Sequence, residues 1–168
     1  MFKKYGEVGS VAELNAKAEE LRAAGDAKGV KAFAVENGLD EMDAEDYLEG
    51  ETDQLATPAM AAVGRLKVEE ESYKEKGKGA VMEYMAIQTI RRITLGNLDV
   101  ELENAIMKKG KRMEHILGAM RKEAEKHKSG NMGVSCGTDL ELLGIIRAYY
   151  LESESKLKTK IKALYTEG

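Results

Sequence analysis

Several residue types are scarce in this chain, and each scarcity removes a class of protein. There is one cysteine, Cys136, so no disulfide can close within the chain. Packing must hold the fold, in what is expected to be a reducing compartment, the cytoplasm. One proline, no tryptophan and 5% aromatics stand far from the turn-rich and ring-rich sequences of sheet proteins. No run of about 18 uncharged apolar residues occurs. No apolar leader follows "MFKK", so neither a membrane contact nor a secretion signal is expected.

Charge, in contrast, is plentiful. In 168 residues 33% are charged and 43% hydrophobic, enough for one ordinary domain or a small module packed on a larger one. The net charge of -4 conceals a division. Residues 1–75 hold 9 basic and 18 acidic side chains and residues 76–168 hold 17 and 12, giving -9 and +5. Such halves face different partners, or each other, or simply water; complementary charge steers encounters over a Debye length of roughly 8 Å.

Helix signals run the length of the chain. "SVAE" makes Ser10 an N-cap with Glu13 as its reciprocal partner, followed by Val11, Leu14, Ala18 and Leu21 at helical spacing up to Gly25. A second helix is expected after Asp26, burying Val30, Phe33 and Ala34 and stopping at Gly38, and a third from "LDEMDAEDYLEG" to Gly50. Thr57-Pro58 starts a fourth that should reach nearly to Gly77. "KGKG" at residues 76–79 is a candidate seam. "AVMEYMAIQTIRRITLGN" is apolar almost all round and is expected in the middle of a bundle; "NLDVELENAIMKKG" adds another helix. After the loop "SGNMGVSCG", the capping box "TDLE" should open the longest helix, with Leu142, Leu143, Ile146, Tyr149, Tyr150, Leu157, Ile161 and Leu164 on one face and Lys156, Lys158, Lys160 and Lys162 toward its C-terminal end. The expected fold is all-α: a multi-helix bundle in residues 53–168, with a small three-helix module in residues 1–52.

"AFAVENGLDEMDAEDYL" has the spacing of a helix-turn-helix, but the helix that would enter the groove carries Asp40, Glu41, Asp43, Glu45, Asp46 and Glu49. Phosphates would repel it. A packing module fits better, and an acidic surface presented to a basic protein is the alternative. Glu69, Glu70 and Glu71 are consecutive, point to different helix faces and are expected in solvent.

No P-loop, strand-borne G-x-G-x-x-G or H-E-x-x-H is present, and the single cysteine has no catalytic pattern around it. A non-catalytic protein without a cofactor is expected. The stretch "KKGKRMEHILGAMRKEAEKHKSG" holds both histidines, His115 and His127. On one helix they would stand about 18 Å apart along the axis and about 120° apart around it, so they cannot share a metal ion. The lysines say more. With Met113 as zero, Ile116, Leu117, Met120 and Ala124 fall within about 60°, while Lys108, Lys111, His115, Lys122 and Lys126 gather between about 160° and 220°, provided Gly110 does not break the phase. Together with Arg112 they form a candidate basic ridge. It fits a solvated face, a phosphate or RNA contact, or a protein partner; aromatics for base stacking are missing.

"MFKKYGEVGSVAELNAKAEELRAAGD" with "AVENGLDEMDAEDYLEGE" resembles the N-terminal module of small accessory proteins coded by mobile elements and phages of gut Firmicutes. "ELENAIMKKGKRMEHILGAM" to "DLELLGIIRAYYLE" resembles the PcfK-like family of conjugative-plasmid proteins. That family includes anti-CRISPR inhibitors of Cas9, so the resemblance implies an inhibitor whose partner is a Cas9-type nuclease or its guide-RNA complex. An accessory protein of conjugative transfer, binding DNA, RNA or a relaxase, is the other expectation, and an oligomer is left open.

Overall fold

The computed structural model describes residues 2–75, 81–127 and 137–166. Among these the fold is all-α, with nine helices and no strand. The seam at residues 76–79, and the loop of residues 129–136 with Cys136, lie outside the described residues. The helices are α1 (Val11–Ala23), α2 (Ala27–Glu36), α3 (Glu41–Glu49), α4 (Pro58–Lys74), α5 (Val81–Leu95), α6 (Val100–Ile106), α7 (Met113–Lys126), α8 (Asp139–Leu151) and α9 (Glu154–Ala163).

They fall into two compact units, each discontinuous in sequence. The first unit is Met1–Ser72 with Asp99–Lys111, and the second is Tyr73–Leu98 with Arg112–Gly168. Residues 53–72 and 99–111 thus join the first three helices. Counted by unit, 11 basic and 20 acidic residues give the first -9, and 15 and 10 give the second +5. The charge division follows the folded units.

The first unit has a core of small and aromatic side chains. Phe33, Val30, Ala34, Leu14, Tyr47 and Leu55 are buried together with Met107, which follows α6. Burying a side chain such as Phe33 contributes roughly 1.5–3 kcal/mol. The ends of the helices are set locally. Ser10 Oγ accepts from the Glu13 N–H at 3.0 Å, but the Glu13 carboxylate reaches past Ser10 to the Gly9 N–H at 2.7 Å. Gly25, Gly38 and Gly50 take positive φ values of 72°, 78° and 81° at the three turns, where other residues are strained.

In the second unit α5 packs on α7 and α8, and α9 packs on α7 and α8. Ile87, Ile90 and Ile93 of α5, Ile116 of α7, Ile145 and Ile146 of α8, and Leu157 and Ile161 of α9 are buried. Three expectations change here. First, α5 is not buried all round: Val81, Met82 and Met85 are 51%, 74% and 55% exposed, and its buried residues, Ile87, Ile90, Ile93 and Thr94, begin only at its middle. Second, the long helix expected after Thr138 is two helices. Glu152 is extended at ψ -158°, and Ser153 restarts the chain as an N-cap, its Oγ accepting from Lys156 N–H at 3.3 Å. A serine hydroxyl competes with helix continuation by bonding the backbone ahead of it. Third, Glu69 within α4 is buried instead of solvated.

Candidate functional site

The basic ridge is split by its own glycine. Gly110 has φ 77°, so the helical phase stops there; α6 ends at Ile106 and α7 begins at Met113. Lys108 and Lys111 therefore belong to the first unit, while Arg112, His115, Lys122 and Lys126 belong to the second. Partial burial first, and the neighbouring Lys108 charge second, hold the Lys111 ammonium below its usual range.

On α7 the expected stripe is buried at Met113 and Ile116 and half-buried at Leu117, Met120 and Ala124. His115 is exposed, and its Nδ1 lies 2.9 Å from the Tyr149 hydroxyl, which also accepts the Arg112 N–H at 2.9 Å. That arrangement fixes the start of the helix. At the other end His127 stacks on Tyr165, with ring centroids 4.4 Å apart and planes at 10°, and its Nε2 lies 3.5 Å from Glu123. Among the described residues no group of three His, Cys, Asp or Glu side chains is placed to hold a metal ion. Lys126 pairs with Glu123 at 2.7 Å, and Lys122 is exposed.

The acidic set stays together because α3 is short and buries only Ala44 and Tyr47 fully. Asp40, 79% exposed, pairs with Lys67 at 3.3 Å, and Glu45 pairs with Lys31 at 2.6 Å. Asp43 turns inward to the helix start, accepting the Asp40 N–H at 3.0 Å. Glu41 and Glu49 also act on the Lys31 ammonium that Glu45 contacts, and Met42, next to Glu41, is 70% exposed. A cleft of about 490 Å³ opens beside Asp43 and Asp46 and is also lined by Asp53, Gln54 and Met60. The face offers carboxylates around one exposed thioether side chain, which suits a basic partner and repels an anionic one.

Periodicity could not find the residues that hold these surfaces in place. Arg65, at 1% exposure, reads in the sequence like any helix arginine; in the fold it reaches Glu7 and the Val8 carbonyl at 2.7 and 2.6 Å. Of the α9 lysines, Lys160 and Lys162 stand in the last turn of the helix as expected, and Lys160 lies against Gly144 of α8.

No protein-family model, curated protein or solved structure matches this chain.

Proposed function

We propose that the chain is a non-catalytic protein of a mobile element or phage that inhibits a host CRISPR nuclease, of the Cas9 type, by binding the protein or its guide-RNA complex. The observation that carries this reading is the α3 face, where Glu41, Glu45 and Glu49 share one ammonium, that of Lys31, in a unit of net charge -9. A nuclease of this type holds its RNA–DNA heteroduplex in a positively charged channel. An acidic protein surface is complementary to such a channel and competes with the nucleic acid for it, steered by long-range charge. The sequence resemblance narrows the partner to this nuclease class.

A target-cleavage assay with the purified nuclease and its guide RNA tests the proposal. The protein should slow cleavage at low salt, and Glu41→Lys, Asp46→Lys and Glu49→Lys together should relieve the inhibition. Cleavage that proceeds untouched at excess protein would overturn the reading. The second reading, an accessory protein of conjugative DNA transfer, is favoured by the +5 charge of the second unit. It gains if nucleic acid or a relaxase binds while the nuclease is ignored.

A further inference from the structure

The ridge expected along one helix is replaced by a face built from two. Helices α7 and α9 pack side by side within the second unit, each burying one stripe. On α9 the buried Leu157 and Ile161 leave Lys158 and Lys162 on one flank and Lys156 and Lys160 on the other, each pair four residues apart. Geometry shows which flank meets α7. Lys160 lies over Gly144 of α8, and His127 at the end of α7 stacks on Tyr165 just past α9, so the Lys158–Lys162 flank is turned toward α7. Consistent with this, Lys162 acts on the Glu123 carboxylate and Lys122 on the Glu154 carboxylate. The row Lys122–Lys126 therefore runs alongside the row Lys158–Lys162, with Glu123 and Glu154 between them.

Those two glutamates orient the lysines without burying them. Lys126 pairs with Glu123 at 2.7 Å and Lys158 with Glu154 at 2.6 Å, yet the two lysine side chains stay 62% and 67% exposed. Exposed pairs of this kind are weak and exchange readily for a stronger anion. Successive lysines in a row are about 6 Å apart along the axis.

We propose that the α7–α9 face, through Lys122, Lys126, Lys158 and Lys162, binds the phosphodiester backbone of a nucleic-acid strand without reading its bases. An acidic protein fits less well. Protein interfaces need an apolar or aromatic centre, and the large exposed hydrophobic side chains among the described residues lie on other elements than α7 and α9. A phosphate backbone needs only accessible cations. The rings at the end of the face, His127 and Tyr165, are stacked on one another, which favours backbone contact over base stacking. This inference stands apart from the nuclease reading, since it concerns the second unit and is tested with no nuclease present.

Fluorescence anisotropy of the full chain with labelled oligouridine and labelled oligothymidine, across a salt series, decides it. Both strands should bind alike, with a log–log salt slope of about -3 for four neutralised phosphates on a single strand. The joint variant Lys122→Gln, Lys126→Gln, Lys158→Gln, Lys162→Gln should lose about tenfold or more in affinity at low salt and flatten that slope. Lys156→Gln with Lys160→Gln, on the opposite flank, should change affinity less than about twofold. Circular dichroism checks that both variants keep their helix content, which glutamine at exposed positions supports. Absence of binding at low salt, equal loss in both variants, or polyglutamate competing as well as oligouridine would each overturn the proposal.

Discussion

Arg65 and Glu7, 58 residues apart in sequence, meet at 2.7 Å between Nη1 and Oε1 with the arginine side chain only 1% exposed. The second guanidinium nitrogen donates to the Val8 carbonyl at 2.6 Å, and the same Glu7 oxygen accepts the Gly110 N–H at 3.1 Å. One carboxylate thus ties α4, the N-terminal segment and the turn after α6 into the first unit. Lys109 and Glu13 add an exposed pair at 2.9 Å beside it.

Removing one partner of a buried pair leaves the other charge uncompensated, at a cost of about 3–5 kcal/mol. Arg65→Ala should therefore destabilise the first unit by about that much, because it also strands the Val8 carbonyl. Arg65→Met should cost less, since it keeps the volume and Glu7, 22% exposed, can hydrate. Urea unfolding followed by circular dichroism measures both. An Arg65→Ala midpoint equal to that of the unaltered protein would show that the pair holds nothing together.

Gly38 and Gly64 make a close backbone approach. A Cβ on Gly64 would overlap the Asn37 carbonyl, and one on Gly38 would overlap the Gly64 carbonyl, where Gly38 already sits at φ 78°. Within α4, alanine should improve helix propensity by about 1 kcal/mol over glycine. Overpacking costs about 1–3 kcal/mol, and here the obstacle is backbone, which yields little. Gly64→Ala is expected to lower stability despite the propensity gain. A raised melting temperature would mean that the α2–α3 turn moves aside.

These two sites mark what the sequence can and cannot tell. Helix starts at Ser10 and Thr138, turns at Gly25, Gly38 and Gly50, and the burial of Val30, Phe33 and Ala34 were legible, because caps, left-handed glycines and apolar spacing act over a few residues. The partner of Arg65, the burial of Glu69 and the contact at Gly64 depend on elements far away in the chain. Met82 and Met85 expose the same gap from the other side: spacing shows which side chains could be covered, never whether a neighbour covers them. For the lysines, composition located the residues, but the breaks at Gly110 and Ser153 set which element carries each. Lys108 and Lys111 belong to the first unit, and Lys158 and Lys162 to a separate helix, α9.

The Ser153 hydroxyl caps the start of α9, and this cap can be compared with the complete capping box at Thr138. Thr138 Oγ1 accepts the Glu141 N–H at 3.3 Å while the Glu141 carboxylate accepts the Thr138 N–H at 2.6 Å. Ser153 has only its own half of such an exchange, at 3.3 Å to Lys156 N–H. Loss of an N-cap costs about 0.5–2 kcal/mol. Thr138→Ala should fall in the upper part of that range and Ser153→Ala in the lower part, read from chemical unfolding of the two variants. The reverse order would show that Ser153 controls the second unit more strongly than its hydrogen bonds suggest.

The pH dependence has a direction at each end. The hydrogen bond from Lys109, then the Gly9 N–H, holds Glu13 below the ordinary 4.5; the Thr138 N–H, then its hydroxyl, does the same for Glu141. A carboxyl whose folded value lies below its unfolded one contributes stability above about 4.5 and loses it as pH falls through the folded value. These groups are exposed, so acid should loosen the fold gradually. Tyr47 acts at the other end. Burial first, and its 2.5 Å hydrogen bond to Glu19 second, push the phenol up to about 12 from 10.0. The unfolded phenol ionises near 10.0, so the stability it contributes is whole below that pH and is lost as pH climbs to about 12. Phenolate absorbance should show Tyr47 titrating late and together with loss of helix signal. Tyr47→Phe should lower neutral-pH stability by about 1 kcal/mol through the lost hydrogen bond, while moving alkaline unfolding to higher pH. Alkaline unfolding at an unchanged pH in that variant would assign the transition to another group.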